Sequence, residues 1–463
     1  MTGLTGLISV FSLVCAICGL SSVVSTYART EGGGLRIPLR PRTARDRQST
    51  GQLDRRVRAP DFTWGKDPMR GVNIGGWLVL EPWITPSMFE GKPDWVVDEW
   101  TYGAYMATQP DPMGEIRHHW NTWFQYYELE NIASIGLNTI RIQIGYWSLI
   151  PLVNGEPFLV GAFEYLKLAV TWAQGLNLKV MLDLHGAPGG QNGFDNSGIR
   201  STRQWFWNQT DLDRTLDALK ILTEEFTSPT YGDTIIAIEC LNEPFPQQDW
   251  ELDFLKQFYQ SAYTTVRDAA QHPGVVIALD EAFKGLRTWD GFMTEPDWTG
   301  VAMDTHVYAM FNSDTLSMGY NANLQWYCSQ ADSLRLANQQ HWTIVGEFTP
   351  ANTDCAKWLN GRGTGARYDN TLDWAQRLPF KGDCSIKTGA DGSKFGAEYT
   401  DHLLKSFETQ TWVYEQASGW IMWTWKTEQA ADWSMATGIT YGWIPTPITA
   451  KPHGWVACRS ESS

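Results

Sequence analysis

Short apolar runs alternate along this chain with longer stretches of helical periodicity. Eight such runs are bounded by turn residues: Met69–Ile74, Thr139–Gly145, Leu178–His185, Thr234–Asn242, Val275–Glu281, Val301–Tyr308, Trp342–Phe348 and Trp420–Lys426. Several are continuous and β-branched rather than alternating, the pattern of strands buried on both faces. Between them, Phe163–Gly175, Asp211–Phe226, Asp253–Gln271, Leu324–Gln340 and Glu398–Ser418 place apolar residues at helical spacing. Strands interleaved with helices in this number predict an α/β chain closed into a (β/α)8 TIM barrel. The 463 residues exceed the roughly 250 of a typical barrel, so the reading is a single domain with long βα loops. An open doubly wound sheet is the alternative. No G-x-G-x-x-G follows an early strand, and the glycine-rich Gly186–Gly190 lacks the lysine of a phosphate-binding loop.

The ends of the apolar runs are unusually polar. The second contains Arg141, and the third ends Asp183-Leu-His185. The fourth ends Asn242-Glu243-Pro244, the sixth His306-Val-Tyr308 and the seventh Gly346-Glu347-Phe348. The eighth carries Trp423. In a parallel barrel these ends share one rim, where reacting groups are collected. Glu243 and Glu347 each follow an apolar strand directly, a costly place for a carboxylate that has no use or partner. Two carboxyls opposed across the mouth of a ring are the equipment of glycoside hydrolysis, one protonated to donate and one ionised to attack. Arg141, His306 and Tyr308 are candidates to hold the attacking carboxyl ionised. Asn242 is placed to bond a sugar 2-hydroxyl.

Composition narrows the partner. Nine Arg against Glu31, Asp46 and Asp54 occupy 29–58, so the rest of the chain is more acidic than the formal net charge of −15. An acidic body excludes nucleic acid, whose phosphates need cations. The 25 Trp exceed what a dry core takes easily, and part of them suits flat surfaces for sugar rings. Of seven Cys, Cys15 and Cys18 lie in an N-terminal apolar run. The other five, with no CxxC pair, read as two disulfides and one buried thiol, Cys240. Leu7–Leu20 has signal-peptide length, with Thr26 and Ala28 spaced for cleavage after Ala28. No Lys or Arg precedes it, and stretched to Leu4–Val24 it is long enough for a retained signal anchor. The expected organisation is residues 1–28 signal peptide, 29–58 Arg-rich disordered pro-region with the dibasic pair Arg55-Arg56, and 59–463 the barrel. The expected location is extracellular or in the cell wall, for a monomer without stable membrane insertion. Asn208-Gln209-Thr210 is a single N-glycosylation sequon.

Seven segments together carry a family resemblance. They include RGVNIGGWLVLEPWITPSMFE (Arg70–Glu90), LDLHGAPGGQNGFDNSG (Leu182–Gly198), LNEPF (Leu241–Phe245), DTHVYAMF (Asp304–Phe311), GEFTPANTDCAKWLNG (Gly346–Gly361) and WIMWTWKTE (Trp420–Glu428), with GLNTIRIQIGYW (Gly136–Trp147) between the first two. From about Met69 to Cys458 the chain resembles fungal exo-β-1,3-glucanases of glycoside hydrolase family 5. The resemblance implies Glu243 as acid/base and Glu347 as nucleophile. It surrounds them with Arg141, His185, Asn242, His306, Tyr308 and Trp423. It implies Glu81, helped by Asp195, on the terminal glucose, and Phe194 with Phe311 as an aromatic clamp on the next sugar. It also implies the disulfides Cys328–Cys458 and Cys355–Cys384, and neither metal nor cofactor. The expected activity is retaining release of glucose from β-1,3-glucan, with transglycosylation. A related β-glycosidase acting on β-1,6-glucan or on an aryl or lipid glucoside, or a non-catalytic wall-glucan-binding barrel, is the alternative. Phe348, where the family commonly has Trp, is a departure that leaves room for another aglycone preference.

Overall fold

A computed structural model describes residues 57–153, 155–372, 381–454 and 458. The expected signal peptide, and the Arg-rich segment up to Arg56, lie outside the described residues. Val57 and Arg58 are described, and the Arg58 guanidinium donates to Asn177 Oδ1 at 3.0 Å.

Eight parallel strands close into a ring in chain order, the first pairing with the last. They are β1 Met69–Asn73, β2 Thr139–Gly145, β3 Lys179–Gly186, β4 Ile235–Glu239, β5 Val276–Asp280, β6 Val301–Val307, β7 Trp342–Phe348 and β8 Gly419–Met422. Burial on both faces explains their continuous apolar character: every residue of β2, β3 and β4 is buried. Inside the ring Met69, Met181, Ala237, Val276, Ala302, Ile344 and Ile421 form an apolar cluster, covered by Phe62, Trp64 and Trp342. Most of these residues come from early strand positions, so an apolar core fills the N-terminal half of the ring, and the buried carboxyls of Asp183, Glu239, Asp280, Asp304 and Glu347 lie further along their strands.

β1, β5 and β6 are shorter than their sequence patterns by one or two residues, and two strands end well before theirs. β4 stops at Glu239 and β8 at Met422, which leaves Glu243 and Trp423 on the exits beyond. The chain after β4 still bonds its neighbours, Cys240 N to Ala278 O at 3.1 Å and Asn242 N to Leu184 O at 3.0 Å. It then turns at Glu243, whose φ of 45° ends extended geometry. The expected helix Leu324–Gln340 is two helices, Tyr320–Cys328 and Ala331–Ala337. At the break, the Ser329 hydroxyl and the Gln330 amide both donate to the Trp326 carbonyl, at 2.7 and 3.2 Å, in competition with the helical ladder. Both implied disulfides, Cys328–Cys458 and Cys355–Cys384, are formed, and Cys240 is a buried free thiol. No described helix is long and apolar enough to cross a membrane.

Candidate active site

The rim at the strand C-termini is organised by one cation. Arg141, in the middle of β2, is fully buried. Its Nε donates to Glu239 Oε2 at 2.7 Å. One terminal nitrogen donates to Asn73 Oδ1 at 2.9 Å and to Glu347 Oε1 at 3.0 Å. The other donates to Asn242 Oδ1 at 2.9 Å and lies 3.1 Å from Asp183 Oδ2. A planar guanidinium is suited to this fan of acceptors, and a lysine is not.

Glu347, near the end of β7, also accepts from the Tyr308 hydroxyl at 2.8 Å. Gly346 before it donates its N–H to Asp304 Oδ1 at 2.6 Å, and a Cβ there would meet the other Asp304 oxygen at 1.9 Å. Only glycine lets β7 lie against that carboxylate. Glu243 sits in left-handed backbone, a conformation that costs a non-glycine residue on the order of 1–3 kcal/mol and persists where the surroundings impose it. Its Oε2 accepts from Asn196 Nδ2 at 3.1 Å, and its Oε1 lies 2.7 Å from His306 Nδ1. That same nitrogen is 3.5 Å from Glu347 Oε2. Within the trio Glu243, His306 and Glu347, the nearest nitrogen and carboxylate oxygens all lie within 4.8 Å of one another.

Burial raises both carboxyls above the ordinary range. For Glu347 the neighbouring Glu243 charge adds to the rise and Arg141 opposes it. His306 is pushed down to about 4, chiefly by burial, and His185 likewise to about 4. Both imidazoles are therefore neutral near pH 6, and the permanent cation in contact with the pair is Arg141, which touches Glu347 alone.

Around this pair, His185 Nδ1 is 2.6 Å from Asp183 Oδ2, and the His185 ring stacks on Trp423 at 5.8 Å, with planes 5° apart. Burial raises Asp183 to about 7. Glu81 is buried, accepts from Trp83 Nε1 at 2.9 Å, and is raised by burial and by the nearby Asp195. Burial raises Asp195 to about 7. Asp195 Oδ2, Asn242 Nδ2 and His185 Nε2 are buried without a hydrogen-bond partner among the described residues. Phe194 and Phe311 are half-exposed. Phe194 packs on Phe245 at 5.8 Å, and Phe311 on Tyr308 at 5.6 Å.

The model of the family named Cellulase (glycosyl hydrolase family 5) matches residues 108–375. The chain belongs to glycosyl hydrolase family 5. It is a glycoside hydrolase. It is 41% identical over 396 residues to a glucan 1,3-beta-glucosidase of Blumeria graminis, covering 84% of this chain and 89% of that one. With glucan 1,3-beta-glucosidase I/II of Saccharomyces cerevisiae it shares 36% identity over 466 residues, 96% and 98% of the two chains. The crystal structure of rutinosidase from Aspergillus niger has the same fold at 19% identity, with a TM-score of 0.63 over 83% of this chain and 99% of that one.

In this family 5 site, sequence reasoning missed the groups beneath the rim. Asn73 accepts from Arg141 and donates its amide to the Gly346 carbonyl at 2.9 Å, joining β1 to β7. Glu239, Asp280 and Asp304 line the floor, each buried. Glu239 was visible as a lone acid inside the apolar run IIAIEC. Asn196 lay inside the resembling segment Leu182–Gly198 but was not singled out there. The Phe348 departure falls outside the site. Its ring is buried against Tyr414 at 5.2 Å and Trp420 at 5.7 Å, in the layer between barrel and helices.

Proposed function

We propose that the protein is an exo-acting, retaining glucan 1,3-β-glucosidase with Glu347 as nucleophile and Glu243 as acid/base. The observation that carries this reading is the pair of buried carboxyls with oxygens within 4.8 Å, Glu243 just beyond β4 and Glu347 near the end of β7. Retaining enzymes separate their carboxyls by ~5–5.5 Å, and inverting ones leave room for a water at ~6.5–9.5 Å.

The terminal β-glucosyl unit enters with its anomeric carbon between the two. Glu347 attacks that carbon while the glycosidic C–O bond breaks and the Glu243 proton passes to the departing oxygen. Esterification removes the Glu347 charge, so Glu243 becomes more acidic and remains as a carboxylate. It then takes a proton from water, whose oxygen displaces Glu347, and β-glucose leaves with retained configuration. A second sugar hydroxyl in place of water gives transglycosylation. Asn242, held by the same guanidinium as Glu347, suits the 2-hydroxyl, because Arg141 takes the Asn242 oxygen and leaves its buried amide nitrogen unpartnered. Glu81, Asp195 and His185 take further hydroxyls of the terminal ring, and Phe194 and Phe311 grip the next one. Unpartnered buried donors and acceptors at three of these positions support the assignment, because such atoms are costly unless a ligand satisfies them.

The names of the relatives support β-1,3-glucan as substrate. We further propose a cleaved leader, removal of the Arg-rich segment, secretion as a monomer, and a glycan on Asn208, which is exposed at the start of helix Gln209–Phe226. Product analysis on laminarin, pustulan and cellulose tests the function. Glucose as the first product from laminarin is expected. Oligosaccharides as first products, or faster release from pustulan, would overturn the exo-β-1,3 assignment.

A further inference from the structure

Trp207 and Trp250 remain 57% and 47% exposed, which is unusual for so large an apolar side chain. They also stand together. Their ring centroids are 6.2 Å apart with planes at 42°, one on the short turn Gln204–Trp207 and the other in the first turn of helix Asp249–Ala269. Beside them opens a cavity of about 400 Å3 lined by Asn192, Ser201, Thr202, Arg203, Trp207 and Gln247.

The cavity's one cation is already engaged. Arg203 pairs with Glu251 at 3.1 Å, donates to Gln247 Oε1 at 3.1 Å and to the Phe245 carbonyl at 2.7 Å, and lies 5.5 Å from the Trp207 ring. What remains for a ligand is amides, hydroxyls and two flat apolar faces. That combination suits an uncharged polyhydroxylated chain and offers little to an anion, a lipid or an acidic peptide. The wall of the cavity leads toward the catalytic pair. Asn192 Nδ2 donates to Asn196 Oδ1 at 3.1 Å, and Asn196 in turn holds the Glu243 carboxyl. The loop that carries Phe194 thus links the cavity wall to the proposed acid/base.

We propose that Trp207, Trp250 and this cavity form a second carbohydrate site, which holds rings of a linear β-glucan strand beyond those in the catalytic pocket. The proposal rests on the glucanase reading for the kind of polymer, and on the aromatic pair for the site. It makes the enzyme prefer long strands to short ones, because two rings stacking on two indoles add affinity that a disaccharide does not gain.

The test compares affinities in a full-length Glu347→Gln background, which binds without turnover. Dissociation constants are measured for laminarin and for laminaribiose. The expected result of Trp207→Ala with Trp250→Ala is a fall of about tenfold in the preference for laminarin over laminaribiose. Trp207→Tyr with Trp250→Tyr, which keeps two aromatic faces, should restore most of it, with melting temperatures alike across the set. An unchanged preference overturns the site. So does a preference that appears only after Thr210→Ala removes the sequon, because the face would then be covered by the chain's own Asn208 glycan. If the wild type hydrolyses pustulan and not laminarin, the β-1,3 assignment fails. The same comparison with pustulan and gentiobiose then still decides the second site.

Discussion

Replacing Arg141 by Lys keeps one positive charge at the centre of the rim and removes the fork that distributes it. Arg141 serves five acceptors, three of them carboxylates, with no exposure to water. An ammonium has three donors at one point and leaves at least two acceptors unmet. Breaking one partner from a buried charged network costs about 3–5 kcal/mol, set against a total stability of about 5–15 kcal/mol. Arg141→Lys is therefore expected to fold with a clearly lowered melting temperature, and Arg141→Gln to approach the limit of folding. The chemical effect has a definite sign. Glu347 must be ionised to attack, and the guanidinium 3.0 Å away favours that form. At an effective dielectric constant of about 20, this contact is worth on the order of 5 kcal/mol. Carboxylates beside an arginine shift by about 1–3 pH units. With the contact weakened, the Glu347 pKa rises, so the acidic limb of kcat/KM moves to higher pH, by about 1 unit for Lys. The assay is kcat/KM for laminaribiose across pH, with thermal melting on the same samples. A stably folded Arg141→Lys enzyme with the wild-type melting temperature and acidic limb would refute the reasoning.

Two further outcomes follow from the same geometry. Glu243→Gln removes the proton donor, so hydrolysis of laminarin should fall by about 10²–10⁴. An aryl glucoside with an acidic leaving group needs no such donor in the first step. There the loss should be smaller, with a burst of phenol and, in azide, a glucosyl azide of β configuration. Equal losses on both substrates would remove Glu243 from the acid role. Gly346→Ala forces a methyl group to within 1.9 Å of the Asp304 carboxylate, so it should cost most of the activity and much of the soluble yield. An active, stable Gly346→Ala enzyme would contradict the packing described.

Much of this architecture was legible in the chain because burial leaves a clear mark. Strands covered on both faces read as unbroken apolar runs, and β2 and β7 match their runs end to end. Strand ends were harder to read. The apolar run through Thr234–Asn242 continues past the point where β4 stops, because Cys240 and Leu241 stay buried although they leave the ladder. Glu243 and Glu347, the proposed catalytic pair, stood out as carboxylates that interrupt apolar sequence. Asp280 and Asp304 did the same without standing out, Asp280 because it reads as the polar end of a strand and Asp304 because it is a single acid within β6. The role of Arg141 as hub of five contacts, and the backbone turn at Glu243, depend on several strands meeting in space. No local pattern encodes either one. The Phe348 departure shows the reverse case, a change in sequence beside Glu347 whose side chain faces the helix layer.

The central claim is that Glu347 forms a covalent bond to the sugar while Glu243 moves the proton. Incubation of the wild-type protein with 2,4-dinitrophenyl 2-deoxy-2-fluoro-β-glucoside, then proteolysis and peptide mass analysis, tests it directly. The expected result is a single fluoroglucosyl adduct on the peptide carrying Glu347, with none on Glu243. An adduct on Glu243, or an enzyme that turns over natural substrate yet yields no adduct with the fluoroglucoside, would contradict the account.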